Sequence, residues 1–276
     1  MKIGYGTYGM PEVPVWDALP RIAEMGYEAV EICIADRWPT APRKLAPADR
    51  DRLRDLIRDT GLQPSAFMLF LALMASEGEE LAEQERLFRE ACVLARHVAP
   101  EGEPVVVTVL GPASSDWEAV RAEVADRVTR FGGLAAEEGC RLALEPHVNA
   151  LLDRPERVTW VMERVHTPTC GINFDISHFA VGGYPRAETI RALAPYSFHT
   201  HVKDGRMEEG KVRFLLPGEG EFDYPAYFQE MAAAGYRGPI TVEITAQIFN
   251  LPEYDPWPAA RFSLETLQRA RSASGV

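Results

Sequence analysis

The chain has 276 residues and is 46% hydrophobic, enough for one large α/β domain with an ordinary core. Its 41 acidic residues outnumber 29 basic ones, and a formal charge of −12 repels phosphate backbones, so no nucleic-acid partner is expected. Cys33, Cys92, Cys140 and Cys170 form no CxxC pair, and the start MKIGYGTYGM lacks the apolar core of a signal peptide. The longest apolar run, Ala66–Ala75, is too short to span a bilayer. These features together predict a reduced, cytoplasmic protein with no membrane partner.

Short β-rich runs alternate with longer amphipathic ones along the whole chain. The pattern predicts strands at Ile3–Tyr8, Ala29–Ile34, Gln63–Leu69, Pro104–Leu110, Arg141–His147, Cys170–Asp175, Ser197–Lys203 and Pro239–Thr245. It predicts helices at Trp16–Met25, Pro47–Asp59, Glu79–His97, Trp117–Glu138, Pro155–Arg164, Arg186–Leu193, Tyr224–Ala234 and Ala259–Arg271. Gly26, Gly61, Gly139 and Gly235 sit where left-handed helix caps are needed. Eight strands, each followed by a helix, predict a closed single-domain (β/α)8 TIM barrel over residues 1–276. No GxGxxG loop follows the first strand, which disfavours an open doubly wound sheet. Gly4 and Gly6 instead make room for side chains crossing the barrel. The long connections Asp204–Phe222 and Ala246–Pro258 supply rim or lid material, with Arg206, Lys211 and Arg213 in one and Phe249, Tyr254 and Trp257 in the other.

The chemistry gathers at the last four strands. Side chains alternate along a strand. In RLALEPH this aligns Ala143, Glu145 and His147; in CGINFDISH it pairs Asn173 with Asp175, and His178 follows three residues later. In SFHTHVKD it aligns His199, His201 and Lys203, and in ITVEIT it separates Glu243 from Val242 and Ile244. A carboxylate turned into a barrel needs a cation or several donors to offset its desolvation. Three carboxylates and an imidazole suit one divalent ion: Mn²⁺ first, with Co²⁺, Mg²⁺ or Zn²⁺ as alternatives. No cysteine lies at these strand ends, which disfavours a structural zinc site. Lys203 either stabilises an enediolate or neutralises Asp204, the salt bridge being the simpler role.

These residues carry a resemblance. With GYEAVEI at Gly26–Ile32, LALEPH, FDISH, HTHVKD, PGEGEFDY and GYRGPITVEI, the chain resembles the sugar phosphate isomerase/epimerase group of xylose-isomerase-like barrels nearly end to end. The resemblance implies metal ligands at Glu145, Asp175, His201 and Glu243, and a substrate contact from His178. It also implies acid/base roles for Glu145 and Glu243 on opposite faces of a keto-sugar. Ketose epimerases of the group carry a glutamate where this chain has Leu151, and an arginine where it has Met207, with Arg206 adjacent. The group also contains inosose dehydratases and C-glycoside-cleaving subunits, and His147 is either the acid/base residue for such an elimination or a hydrogen-bond partner of a ligand carboxylate. The expected activity is therefore a metal-dependent isomerase or epimerase of a small sugar, with a lyase as alternative. His199, Lys203 and Arg206 are further candidate substrate contacts, and a homo-oligomer or small partner subunit fits the group. Apurinic-site endonucleases share this barrel but need further histidines on earlier strands; here His97 lies in a helical stretch and His166 just beyond one.

Overall fold

The computed structural model describes residues 1–111 and 116–276. Eight parallel strands close the barrel: β1 (Ile3–Gly6), β2 (Ala29–Cys33), β3 (Gln63–Met68), β4 (Val105–Val109), β5 (Arg141–Glu145), β6 (Cys170–Asp175), β7 (Ser197–Val202) and β10 (Ile240–Val242). Two further strands, β8 (Asp204–Glu208) and β9 (Lys211–Leu215), form an antiparallel hairpin outside the ring. The order around the ring is β1-β10-β7-β6-β5-β4-β3-β2, so every sequential pair of barrel strands is adjacent. The barrel is the expected fold, and the helices lie between its strands. They are α1 (Val15–Met25), α2 (Pro47–Thr60), α3 (Glu79–Val98), α4 (Trp117–Glu137), α5 (Pro155–Met162), α6 (Ile176–Val181), α7 (Arg186–Leu193), α8 (Tyr224–Ala233), the short α9 (Ala246–Phe249) and α10 (Pro256–Ser274).

Alternation sorts each strand into two environments. Val30, Ile32, Phe67, Val106, Leu142, Leu144, Ile172 and Phe174 belong to the large core that includes the buried faces of the helices. The opposite sides of β2 to β5 place Cys33, Ala66, Met68, Val107 and Ala143 in a separate apolar cluster inside the ring. Gly6 serves the interior as expected: a Cβ there would stand 3.1 Å from Glu31 Oε1. Gly26, at the end of α1, takes φ +106°, a backbone conformation that costs a residue with a Cβ but not glycine.

Several local features differ from the expectation, among them the short helices α6 and α9, which the sequence pattern did not predict. The Asp204–Phe222 connection contains the β8–β9 hairpin, turning at Glu209 and Gly210 with φ +48° and +77°. Two successive left-handed residues match the twist of a tight hairpin. Helix α10 starts at Pro256, not Ala259, because Asp255 accepts from the Trp257 N–H and proline suits a first helical turn. The last barrel strand covers only Ile240–Val242. Pro239 cannot donate to the ladder, although Glu243 N still donates to Val202 O at 3.2 Å.

Candidate metal centre

Glu145 ends β5, Asp175 ends β6, His201 lies one residue before the end of β7, and Glu243 directly follows β10. All four side chains are buried at the C-terminal mouth of the barrel. One donor atom from each lies within 4.8 Å of the others. His201 Nδ1 is 3.1 Å from Glu145 Oε1 and 3.9 Å from Glu243 Oε2. Asp175 divides its oxygens: Oδ1 caps α6 by accepting from Ser177 N at 2.9 Å and Ser177 Oγ at 2.6 Å, while Oδ2 faces the centre.

Lys203 also enters this centre, its ammonium contacting both Asp175 and Glu243. Its ion pairs are therefore across the barrel, and the expected neutralisation of Asp204 does not occur. Asp204 instead accepts from the backbone N–H groups of Gly218 (2.6 Å), Gly220 (3.2 Å) and Phe222 (3.3 Å), ordering the PGEG turn. One ammonium cannot neutralise three buried carboxylates. Glu145 Oε2 makes no hydrogen bond of good geometry among the described residues, although His147 Nε2 is 3.3 Å away. Oxygen donors, one imidazole nitrogen and surplus negative charge fit a divalent cation.

The carboxylates are driven in different directions. Burial works to raise the pKa of Glu145, but His201 and His147 hold it well below the usual range. Burial raises Glu243, and the nearby Glu145 charge opposes the lowering effect of Lys203. Burial also acts to raise Asp175, but Lys203 brings it down.

Around this centre the structure brings together two of the four candidate substrate contacts, His178 and Lys203, with His147 beside them. The His147 ring stacks on His178 with centroids 4.3 Å apart and planes 17° from parallel. His178 Nδ1 accepts from Val148 N at 3.3 Å, which leaves its proton on Nε2, 3.7 Å from Asp175 Oδ2. Burial and the Lys203 charge hold His178 neutral. His199 is also buried, but deeper in the barrel beside Glu31. Arg206 does not join: it is exposed on β8 and pairs with Glu208. Leu151 is buried, and Met207 lies exposed on the hairpin.

Three participants were not singled out from sequence. Glu31 on β2 is fully buried and contacts both His199 and His201. Phe214 on β9 leans back over the centre, its ring 5.1 Å from His178 and 5.0 Å from Lys203 Nζ. Tyr8, just after β1, packs against Trp38, Phe70 and Phe249. Burial, then the Glu243 charge, pushes its phenol pKa up, placing it within electrostatic reach of the centre.

With this geometry established, comparison with known proteins identifies the family. Residues 19–270 match the xylose isomerase-like TIM barrel family. The chain belongs to that family. An inosose dehydratase of Geobacillus thermodenitrificans (strain NG80-2) is 27% identical over 168 residues, 55% of this chain and 54% of that protein. The alignment thus spans about half the length of that relative. Among solved structures, the D-allulose 3-epimerase of Methylomonas sp. superposes with a TM-score of 0.76 at 19% identity, covering 98% of each chain. The 3-keto-D-glucoside 4-epimerase YcjR of E. coli gives 0.76 at 19% identity, covering 98% of this chain and 99% of that one. These similarities establish the barrel fold. No helix among the described residues is long and apolar enough to cross a membrane.

Proposed function

We propose that the chain is a divalent-metal-dependent isomerase or epimerase of a small keto-sugar or sugar derivative, with Mn²⁺ as the first candidate ion. The carrying observation is the convergence of Glu145, Asp175, His201 and Glu243 at the catalytic mouth, with Lys203 and His178 beside them. These four residues would hold the ion, whose Lewis acidity makes the C–H beside a carbonyl easier to deprotonate. In this reading Glu145 and Glu243 exchange a proton with that carbon from opposite faces of the substrate. A carboxylate taking the proton leaves an enediolate. Return of a proton to the opposite face gives an epimer, and return to the neighbouring carbon gives an isomer. The neutral His178 donates a hydrogen bond to a substrate hydroxyl or carbonyl through Nε2, and the Lys203 ammonium offsets negative charge on oxygen.

His147 supports a second reading, elimination by a lyase of the same family. It is half-exposed, beside Glu145, and stacked on His178. Burial lowers its pKa, but the Glu145 charge more than compensates and raises it, suiting it to protonate a departing hydroxyl. The inosose dehydratase similarity supports this route as well.

Incubating the protein with keto-sugars and inososes in D₂O and Mn²⁺, with NMR detection, tests both readings. Deuterium at one C–H without loss of water identifies the isomerase or epimerase; a dehydrated product identifies the lyase. Full Mn²⁺ occupancy with no exchange at any carbon across the panel would reject both.

A further inference from the structure

Glu31 lies outside the four-residue donor set, yet it is the buried carboxylate on the other side of His201. Both of its oxygens are 3.0 Å from His201 Nε2, and Oε2 is 3.3 Å from His199 Nε2. These histidines are its ion-pair partners among the described residues. A carboxylate so placed can only accept, so His201 must present an N–H at Nε2. The other ring nitrogen, Nδ1, faces Glu145 at 3.1 Å and Glu243 at 3.9 Å; without an ion it too can carry a proton, and an ion among those carboxylates would take that proton's place while Nε2 keeps its own. Asn173 lies against the same nitrogen, its amide 2.9 Å from His201 Nδ1, and can turn either its NH2 or its oxygen toward it. Gly6 makes the space, since a Cβ there would crowd Glu31 Oε1.

We infer that Glu31 is a positioning residue: its carboxylate fixes His201 in the Nε2–H tautomer and turns the Nδ1 lone pair toward the metal centre, with His199 Nε2 3.3 Å from the same carboxylate. The inference rests on the proposed ligand role of His201 but not on the identity of the reaction. Carboxylates that hold the distal nitrogen of a ligating histidine commonly contribute ~10–100-fold to metal affinity.

The test is Mn²⁺ affinity, followed by EPR of the free ion, together with histidine ¹⁵N NMR of the full chain loaded with diamagnetic Zn²⁺. The parent should show His201 bound through Nδ1, with a slowly exchanging Nε2–H. Glu31→Ala should weaken Mn²⁺ binding by ~10–100-fold and expose that proton to exchange. Glu31→Gln keeps a carbonyl acceptor and should recover much of both, which a purely structural role would not require. If Glu31→Ala fails to fold, Glu31→Met removes the acceptor at similar volume. The parent spectrum alone is also decisive, because a metal on Nε2 overturns the inference without any variant. Unchanged affinity in a folded Glu31→Ala or Glu31→Met overturns it as well. So does binding of two ions per parent chain with one lost on removing Glu31, which would make Glu31 a ligand. A silent sugar panel beside weakened Mn²⁺ binding would reject the proposed reaction and leave Glu31 in its role.

Discussion

The interior of the barrel is divided into two arcs that follow opposite physical rules. On β5, β6, β7 and the end of β10, inward positions carry Glu145, Asn173, Asp175, His199, His201, Lys203 and Glu243, all buried. On β3 and β4 the corresponding positions are Ala66, Met68 and Val107, joined by Cys33, Ala143, Trp38 and Phe249. The apolar arc is stabilised by removing surface from water, and its side chains need no particular partner. The charged arc is costly to bury and is held only by mutual pairing. The lesson is a division of labour: one arc pays for the fold, and the other is organised around a cation and the chemistry beside it. Glu31 extends the charged arc across β2 and is the place where the two meet.

The largest effect should come from removing proton chemistry from the charged arc without removing its ligands. Glu243→Gln keeps an oxygen donor and should retain some metal, yet lose turnover by ~10²–10⁴-fold. His147→Asn should do modest damage if the enzyme is an isomerase or epimerase, but abolish elimination at near-normal metal occupancy if it is a lyase. Steady-state kinetics with metal analysis of both variants decides the assignment. A dead His147→Asn beside an active Glu243→Gln would remove the two-glutamate mechanism. In the apolar arc the order reverses. Met68→Ala should cost ~2–5 kcal/mol in urea unfolding through cavity formation, with Mn²⁺ affinity unchanged. If Met68→Ala instead altered metal affinity tenfold, the two arcs could not be treated as separate.

The two arcs were not equally readable. Alternation in RLALEPH, CGINFDISH, SFHTHVKD and ITVEIT was enough to align Glu145, Asp175, His201 and Glu243, because each lies at the end of a run with apolar residues on its other face. The same alternation in AVEIC places Glu31 beside Ala29 and Cys33. Its partners, however, are some 170 residues away in sequence, and nothing local marks it. Lys203 misled for a related reason. Asp204 is its neighbour in the chain, whereas its partners Asp175 and Glu243 meet it through strand order and register. The β8–β9 hairpin was hidden because half of GRMEEGKVRF is charged, with too weak an apolar alternation to separate strand from solvated loop. The start of α10 was hidden by prolines, which read as loop residues but suit a first helical turn.

The hairpin gives a smaller test at the boundary of the charged arc. Phe214 is half-buried against His178 and Lys203, and its backbone N–H donates to Gln247 Oε1 at 3.0 Å. The ring contacts are worth about 1 kcal/mol in total, roughly a several-fold change. Phe214→Ala should therefore lower kcat/KM by about that factor on whichever substrate the panel identifies, and leave unfolding stability nearly unchanged. A loss of stability comparable to that of Met68→Ala would mean that the hairpin belongs to the core and is not a wall of the site.

The smallest effect is expected at the opposite end of the barrel, where charge is used with neither deep burial nor a metal ion. Glu28, just before β2, accepts from Arg271 Nη1 of α10 at 2.6 Å and from Ile3 N at 3.2 Å, tying the last helix to the first strand. Partial burial acts to raise the Glu28 pKa, but the hydrogen bond from Arg271 and that from Ile3 bring it below 4.5. A carboxylate depressed in the folded state stabilises above its unfolded pKa and loses that contribution as pH falls through the folded value. The pair is partly exposed and screened, so Glu28→Gln should cost no more than about 1 kcal/mol at pH 7 and low salt. The difference from the parent should narrow as pH falls from about 5 toward 3, and it should shrink in high salt. Urea unfolding of both proteins across that range checks the sign. A gap that widened on acidification would mean that Glu28 is held by something other than its charge, and the contrast between exposed and buried ion pairs in this barrel would lose its simplest control.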